Sequence, residues 1–247
     1  MMKLICLYPD LLNLYGEHAN LLVLQRALAQ TGHPAEIVSF APDEQIRLTD
    51  ADFIYAGAGT ESHVEAARRA LAAQTAEFRA AAEAGIPMLF TGSAAELTAR
   101  AIRMPDGEAY PCLGLTDCVA VRTAERQLGD ILYESALSDQ LMAGFINKSG
   151  YLKGVAEPFF HAKFGPGGIL NDDGTECPAE GIRTGSVLAT YAIGPILARN
   201  PWLKRWTAAE ILRRKFGAAD ISGLEPDYAD KGYDVTVAEL LKRAQNA

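Results

Sequence analysis

The sequence predicts an α/β fold, a largely parallel central sheet with helices on both faces. Two observations predict it. Strand and helix signals alternate through the first hundred residues, and the strands run out into glycine- or alanine-rich turns at their carboxyl ends. The amphipathic tail fits the same class.

Taken in order, KLICLY (Lys3–Tyr8) reads as a short buried strand. HANLLVLQRALAQTG repeats apolar side chains at helical spacing and stops at Gly32. AEIVSF is a second strand, and ADFIYAGAG a third that runs into glycines. ESHVEAARRALAAQTAEFRAAAEAG is one long alanine-rich helical region closed by Gly85, and IPMLF is a fourth strand. In the second half, CLGLTDCVAVRT, GDILYE and GSVLATYAIG read as strands around a Gly-, Pro- and Asp-rich loop region, KFGPGGILNDDGTECPAEG. WTAAEILRRKFG and TVAELLKRAQ return to amphipathic helix. No repeat, low-complexity tract or flexible linker interrupts the chain, so one domain over residues 1–247 is expected.

With 247 residues, 49% hydrophobic and 22% charged, the chain can bury a substantial core. A net charge of −8 argues against general attraction to nucleic acid or anionic membranes. MMKLICLYPD reads better as a first strand than as a signal peptide, and no apolar run approaches the roughly 20 residues that span a bilayer. Cys6, Cys112, Cys118 and Cys177 show no CxxC spacing, so a reduced, cytoplasmic setting without metal or cofactor is expected.

Functional groups of open α/β sheets gather outside the carboxyl ends of the strands, which here brings Pro9–Tyr15, Gly57–Ser62 and Thr91–Ala95 to one rim. In YAGAGTE, Gly57 and Gly59 can turn backbone N–H groups toward an anion or oxyanion beside a helix N-terminus; an ordinary tight turn has the same spacing. In GIPMLFTGSAAELTAR, a strand, a small-residue turn and a helix form the corner at which α/β enzymes present a nucleophile. Ser93 can be a helix N-cap, with Glu96 completing an S-x-x-E capping box. It can also be a nucleophile on a strained elbow. G-x-S-x-G is absent, and no motif places His18, His33, His63 or His161 as its base.

Several stretches together resemble the class I glutamine amidotransferases of the cobyric acid synthase (CobB/CobQ) type, in particular the GatD branch of lipid II isoglutaminyl synthase subunits. The resemblance runs from about Leu4 to Lys215. LYPDLLNLYGEHANLLVLQRAL is similar to the start of that family. DFIYAGAGTE stands where the family has a strand and Gly-Gly-Gly-Gln-Asp, which supplies oxyanion-hole backbone; Gly57 and Gly59 remain, while Ala58, Thr60 and Glu61 differ. LGLTDCVAVRTAERQLGD places Arg126 on the arginine implicated in capturing glutamine. GFINKSG matches Gly-Phe-Glu-Asn-His-x-Gly with Lys148 in the histidine place, and AEG (Ala179–Gly181) matches a Glu-Gly segment. The resemblance implies a flavodoxin-like amidotransferase fold, a glutamine-type ligand and a Mur-ligase-like synthetase partner.

The departures fall on the chemistry. Aligned on Gly85, Pro87 and Leu89, the nucleophile position of the family's Cys-Gly-Gly-Tyr-Gln-Leu elbow is Gly92. Its Thr-Tyr-Leu-His-Gly-Pro signature reads TYAIGP here, with Ile193 in place of histidine. Glycine has no side chain and isoleucine carries no proton, so the thiolate and its proton carrier are both missing. Three functions remain open: a degenerate amidotransferase subunit acting as scaffold, partner-binding or ligand-binding protein through Arg126, Gly57 and Gly59; a hydrolase using Ser93; or a glutaminase subunit whose partner supplies what is lacking.

Overall fold

The computed structural model describes residues 1–246. β1 (Met2–Leu7), α1 (Ala19–Gln30), β2 (Ala35–Phe40), β3 (Phe53–Ala56), α2 (Glu61–Ala72), α3 (Thr75–Glu83) and β4 (Met88–Thr91) follow the predicted alternation. β3 and β4 are buried along their whole length, as apolar runs in covered parallel sheets are. The long helix predicted between them is two helices. Gln74 leaves the helical path, and its side-chain oxygen accepts from Ile46 N at 2.6 Å, tying the break to the β2–β3 connection.

β4 ends in a short 3₁₀ helix (Gly92–Thr98). Then come β5 (Ala101–Arg103), β6 (Ala109–Pro111), β7 (Val119–Ser135), β8 (Ser138–Lys153), β9 (Pro158–Phe164), β10 (Ile169–Leu170), β11 (Glu176–Cys177), β12 (Ala179–Thr184), β13 (Val187–Thr190) and β14 (Ala192–Ile193). The chain closes with α4 (Ile196–Arg199), α5 (Pro201–Phe216) and α6 (Tyr228–Gln245). One sheet carries all fourteen strands, its main path in the order β11-β10-β8-β7-β9-β12-β13-β4-β3-β1-β2. The frame β2-β1-β3-β4-β13 is parallel, and the second half extends it with mostly antiparallel strands.

Of the predicted strand at 112–123 only Val119–Thr123 is strand, Cys112–Cys118 being an irregular connection; that part joins the predicted strand at 129–134 in one long strand, β7, which pairs with β8. Between Arg122 and Gln127 the chain takes five steps on β7 against two on β8, from Gly150 to Lys148. That irregularity swings Thr123–Arg126 out of register and delivers Arg126 to the rim.

α1, α4 and α5 pack on one another. At the α4–α5 junction, Asn200 accepts from Ala143 N at 2.8 Å and donates to Ala143 O at 2.9 Å, clamping the junction to β8. α6 is joined to this core mainly through Tyr233 and Val237 and through the Arg205–Asp230 pair to α5. Leu240 packs with Leu132 and Ala143 in a small separate cluster, Tyr233 donates to Leu141 O at 2.8 Å, and Arg243 pairs with Asp130. Among the described residues no helix is long and apolar enough to cross a membrane.

Candidate functional site

The three predicted rim segments do meet. Leu14 N donates to Ala58 O at 2.9 Å, which lays the loop after β1 over the turn after β3. Gly57 has to be small there, because a Cβ would fall 2.5 Å from Leu12 O and 2.8 Å from Glu17 Oε2. Tyr8, at the end of β1, is buried with φ +50°, a left-handed conformation costing a non-glycine residue about 1–2 kcal/mol. It turns the chain so that Leu11 and Leu12 N both donate to Tyr8 O.

Gly92 opens the elbow with φ +59°, the conformation in which such corners present a side chain. A Cβ built there would point between Ala58 Cβ at 2.5 Å and Ile193 Cγ2 at 2.6 Å. The positions aligned with the family's nucleophile and histidine therefore face each other, and alkyl groups fill the space between them. Ile193 is 2% exposed.

Ser93 is not a helix cap. Thr91 holds the N-cap position without a side-chain capping bond, while Ser93 Oγ donates to Gly59 O at 2.7 Å and accepts from Gly59 N at 3.0 Å. The capping box expected with Glu96 is absent because that carboxylate is drawn to Arg122, whose Nε and Nη2 both lie 2.9 Å from Glu96 Oε2. Among the described residues no histidine bonds Ser93. His18 approaches Cys6, His33 packs on Phe216, His63 lies in the first turn of α2, and His161 is an exposed residue of β9. The four cysteines are free.

The turn's N–H groups are taken as well. Ala58 N donates to the Glu17 carboxylate and Gly59 N to Ser93. Beneath the elbow runs a directed chain: Asn20 Nδ2 donates to Tyr55 OH at 2.8 Å, Tyr55 to Thr91 Oγ1 at 2.8 Å, and Thr91 to Glu17 Oε1 at 3.1 Å. Burial pushes the Glu17 carboxyl up to about 7 against the pull of these hydrogen bonds.

A pocket of about 120 Å³ remains at the rim, between Gly59, Glu61 and Ser93 on one side and Arg126, Asn147 and Lys148 on the other. Gly57 lies outside its lining and Gly59 within it. Arg126 reaches the pocket and is engaged there, donating to Asn147 Oδ1 at 3.0 Å and pairing with Glu61. Asn147 in turn donates to Tyr15 OH at 3.0 Å. Partial burial raises the Glu61 carboxyl, but bonds from its own backbone N–H, Ser149 and Arg126 outweigh that and hold it below the usual carboxylate range.

Behind the pocket lies a buried ionisable wall. Burial pushes the Glu96 carboxyl up, opposed by Arg122. Glu180 accepts from Thr190 and from Tyr191 N at 2.6 Å, and burial raises it to about 7. The Lys148 amine is 3.3 Å from the Tyr151 ring centroid without a hydrogen-bond partner, and burial brings it down to about 8. Sequence reading assigned no chemistry to Glu17, Arg122 or Glu180, although Glu17 stands inside the quoted LYGEHAN stretch.

Strand, elbow, glycine turn and rim pocket define an α/β scaffold of the glutamine amidotransferase class. A solved glutamine amidotransferase superposes with a TM-score of 0.53 at 18% identity, covering 84% of this chain and 98% of its own. Another, from Thermotoga maritima, gives 0.51 at 11% identity, covering 100% and 99%. Within the class, the CobB/CobQ-like glutamine amidotransferase domain matches residues 3–201, and the chain belongs to that family. It is similar to the GatD subunit of lipid II isoglutaminyl synthase (glutamine-hydrolyzing) from Staphylococcus aureus strain N315, with 27% identity over 206 residues, 83% of this chain and 82% of the relative. The GatD subunit from Streptococcus pneumoniae strain ATCC BAA-255 / R6 is 25% identical over 216 residues, 85% and 80% of the two chains.

Proposed function

We propose that this protein is a non-hydrolysing amidotransferase subunit, a single cytoplasmic domain that serves lipid II amidation by holding a Mur-ligase-like synthetase partner. A glutamine-related small ligand in the rim pocket is part of that reading. One observation carries it. Gly92 and Ile193 face each other across a corner packed with alkyl groups, so neither a thiolate nor a proton carrier stands where glutamine hydrolysis needs both.

Ser93 does not replace the thiolate in this reading. Its hydroxyl proton goes to Gly59 O, and a serine nucleophile needs a base positioned to take that proton. Arg126, paired with Glu61 and Asn147, is placed to answer a ligand carboxylate by exchanging partners.

The test is glutamate release from glutamine by the purified chain, alone and with its ligase-like neighbour. No turnover is expected in either condition. Turnover abolished by Ser93→Ala would overturn the reading and make Ser93 the nucleophile. Turnover that appears only with the neighbour and survives Ser93→Ala would mean that the partner supplies the missing groups.

A further inference from the structure

The rim pocket is not the roomiest apolar space near β4. At the opposite end of that strand, where Gly85 and Pro87 lead into it, a cleft of about 420 Å³ opens toward α5. Its walls are Phe53, Met88, Leu89, Leu188 and Trp206. Its mouth carries Arg183, Arg213 and Arg214 against one carboxylate, Glu210.

These charges are unevenly satisfied. Arg183 donates to Glu210 at 3.2 Å and lies 5.0 Å over the Trp206 ring, and Arg213 pairs with the other oxygen of Glu210. Arg214 donates through Nε to Ala84 O at 3.3 Å and has no carboxylate partner among the described residues. Three guanidiniums against one carboxylate leave the mouth two charges positive.

Volume, lining and charge together select the occupant. Small-molecule sites run to about 300–1,000 Å³, mostly apolar, with a few polar groups that fix orientation. A neutral apolar compound would leave the excess guanidinium charge unanswered, and a polar anion would waste the indole and leucine walls. We propose that this cleft binds a small amphipathic carboxylate, an acyl or aryl acid. Its apolar body lies against Trp206 and Leu188, and its carboxylate lies at Arg213 and Arg214 in the bidentate manner guanidinium groups favour. The site is separate from the elbow and stands whether or not the chain hydrolyses glutamine.

The test uses the whole chain, with 1-anilinonaphthalene-8-sulfonate as a fluorescent aryl anion displaced by decanoate or by decanol. One equivalent of dye binds with blue-shifted emission, and decanoate displaces it about tenfold better than decanol. Ala82→Phe and Ser186→Phe, which fill the cleft from two adjoining elements, α3 and the β12–β13 turn, each weaken dye binding by about tenfold or more. Arg213→Ala with Arg214→Ala removes the preference for decanoate and leaves decanol unchanged. Thermal melting of each variant separates loss of the site from loss of the fold. No saturable binding by the wild type, or binding unchanged in both filled variants, overturns the site. Equal displacement by decanol and decanoate in the wild type overturns the anionic class of ligand.

Discussion

On the elbow side of the rim pocket, Ala58, Gly92 and Ile193 meet through alkyl groups alone, whereas the β7–β8 side keeps Glu96, Arg122, Glu180 and Lys148 buried together. Both sides are largely buried, so the difference lies in what each group would leave behind. A nucleophile and its base contribute to chemistry and little to folding, and their places close over with apolar contact that the fold gains. The ionisable wall cannot be thinned one member at a time, because removing one partner strands the other without solvent.

The sharpest way to break this contrast is on the charged side. Arg122→Ala leaves Glu96 buried and unpaired, and stability by urea denaturation is expected to fall by about 3–5 kcal/mol. A loss as small as that of an exposed pair would mean that the wall is wetter than its burial implies.

Acidity probes both sides at once. The folded-state carboxyls of Glu17 and Glu180 lie near 7, above the 4.5 of an ordinary glutamate. Their stabilising contribution is therefore full below about pH 4.5 and is lost as pH rises through 7, on the order of 3 kcal/mol each. Lys148 has the opposite sign: lowered from 10.5 to about 8, it withdraws stability as pH falls through 8. Glu180→Gln should flatten the slope between pH 4.5 and 7, and Lys148→Met the slope between 8 and 10.5, each read from denaturation midpoints against wild type.

The elbow side is tested by refilling it. Gly92→Cys places a Cβ against Ala58 and Ile193 at positive φ, and should cost about 2–3 kcal/mol from overpacking and backbone strain. Ala58→Gly removes one of the two clashing groups, so a double-mutant cycle should show coupling of about 1 kcal/mol. Additive effects would mean that the corner has more room than the contacts allow. The smallest effect belongs to Arg126. Its pair with Glu61 is about half exposed, 46% and 49%, so Arg126→Ala should change stability by less than about 1 kcal/mol. A larger drop would make this pair structural instead of available to a ligand.

How far the sequence could be read follows from the reach of each interaction. β1 through β4 were legible because apolar runs and glycines are local signals. The cap alternative for Ser93 fails because its partner, Gly59, lies 34 residues away. The S-x-x-E pattern lost Glu96 to Arg122, 26 residues on. The long helix broke at Gln74 for a bond to Ile46, again outside any local window. β8 gave no strand signal because Gly144, Asn147, Lys148 and Gly150 interrupt its apolar alternation where it borders the pocket.

The separate seat of α6 bears on how the molecule opens. With Leu240 in a satellite cluster, Tyr233 alone buried in the main core, one tyrosine bond and two ion pairs, Arg243–Asp130 and Arg205–Asp230, this helix can lift away while the sheet stays folded. Its amides should exchange with solvent deuterium by local opening, well before those of α1, whose buried Leu21, Leu24 and Leu28 exchange only when the core itself comes apart. A protease probing the native chain should accordingly release the C-terminal segment first and leave behind a resistant core, one that still contains the whole stretch matched to the amidotransferase family.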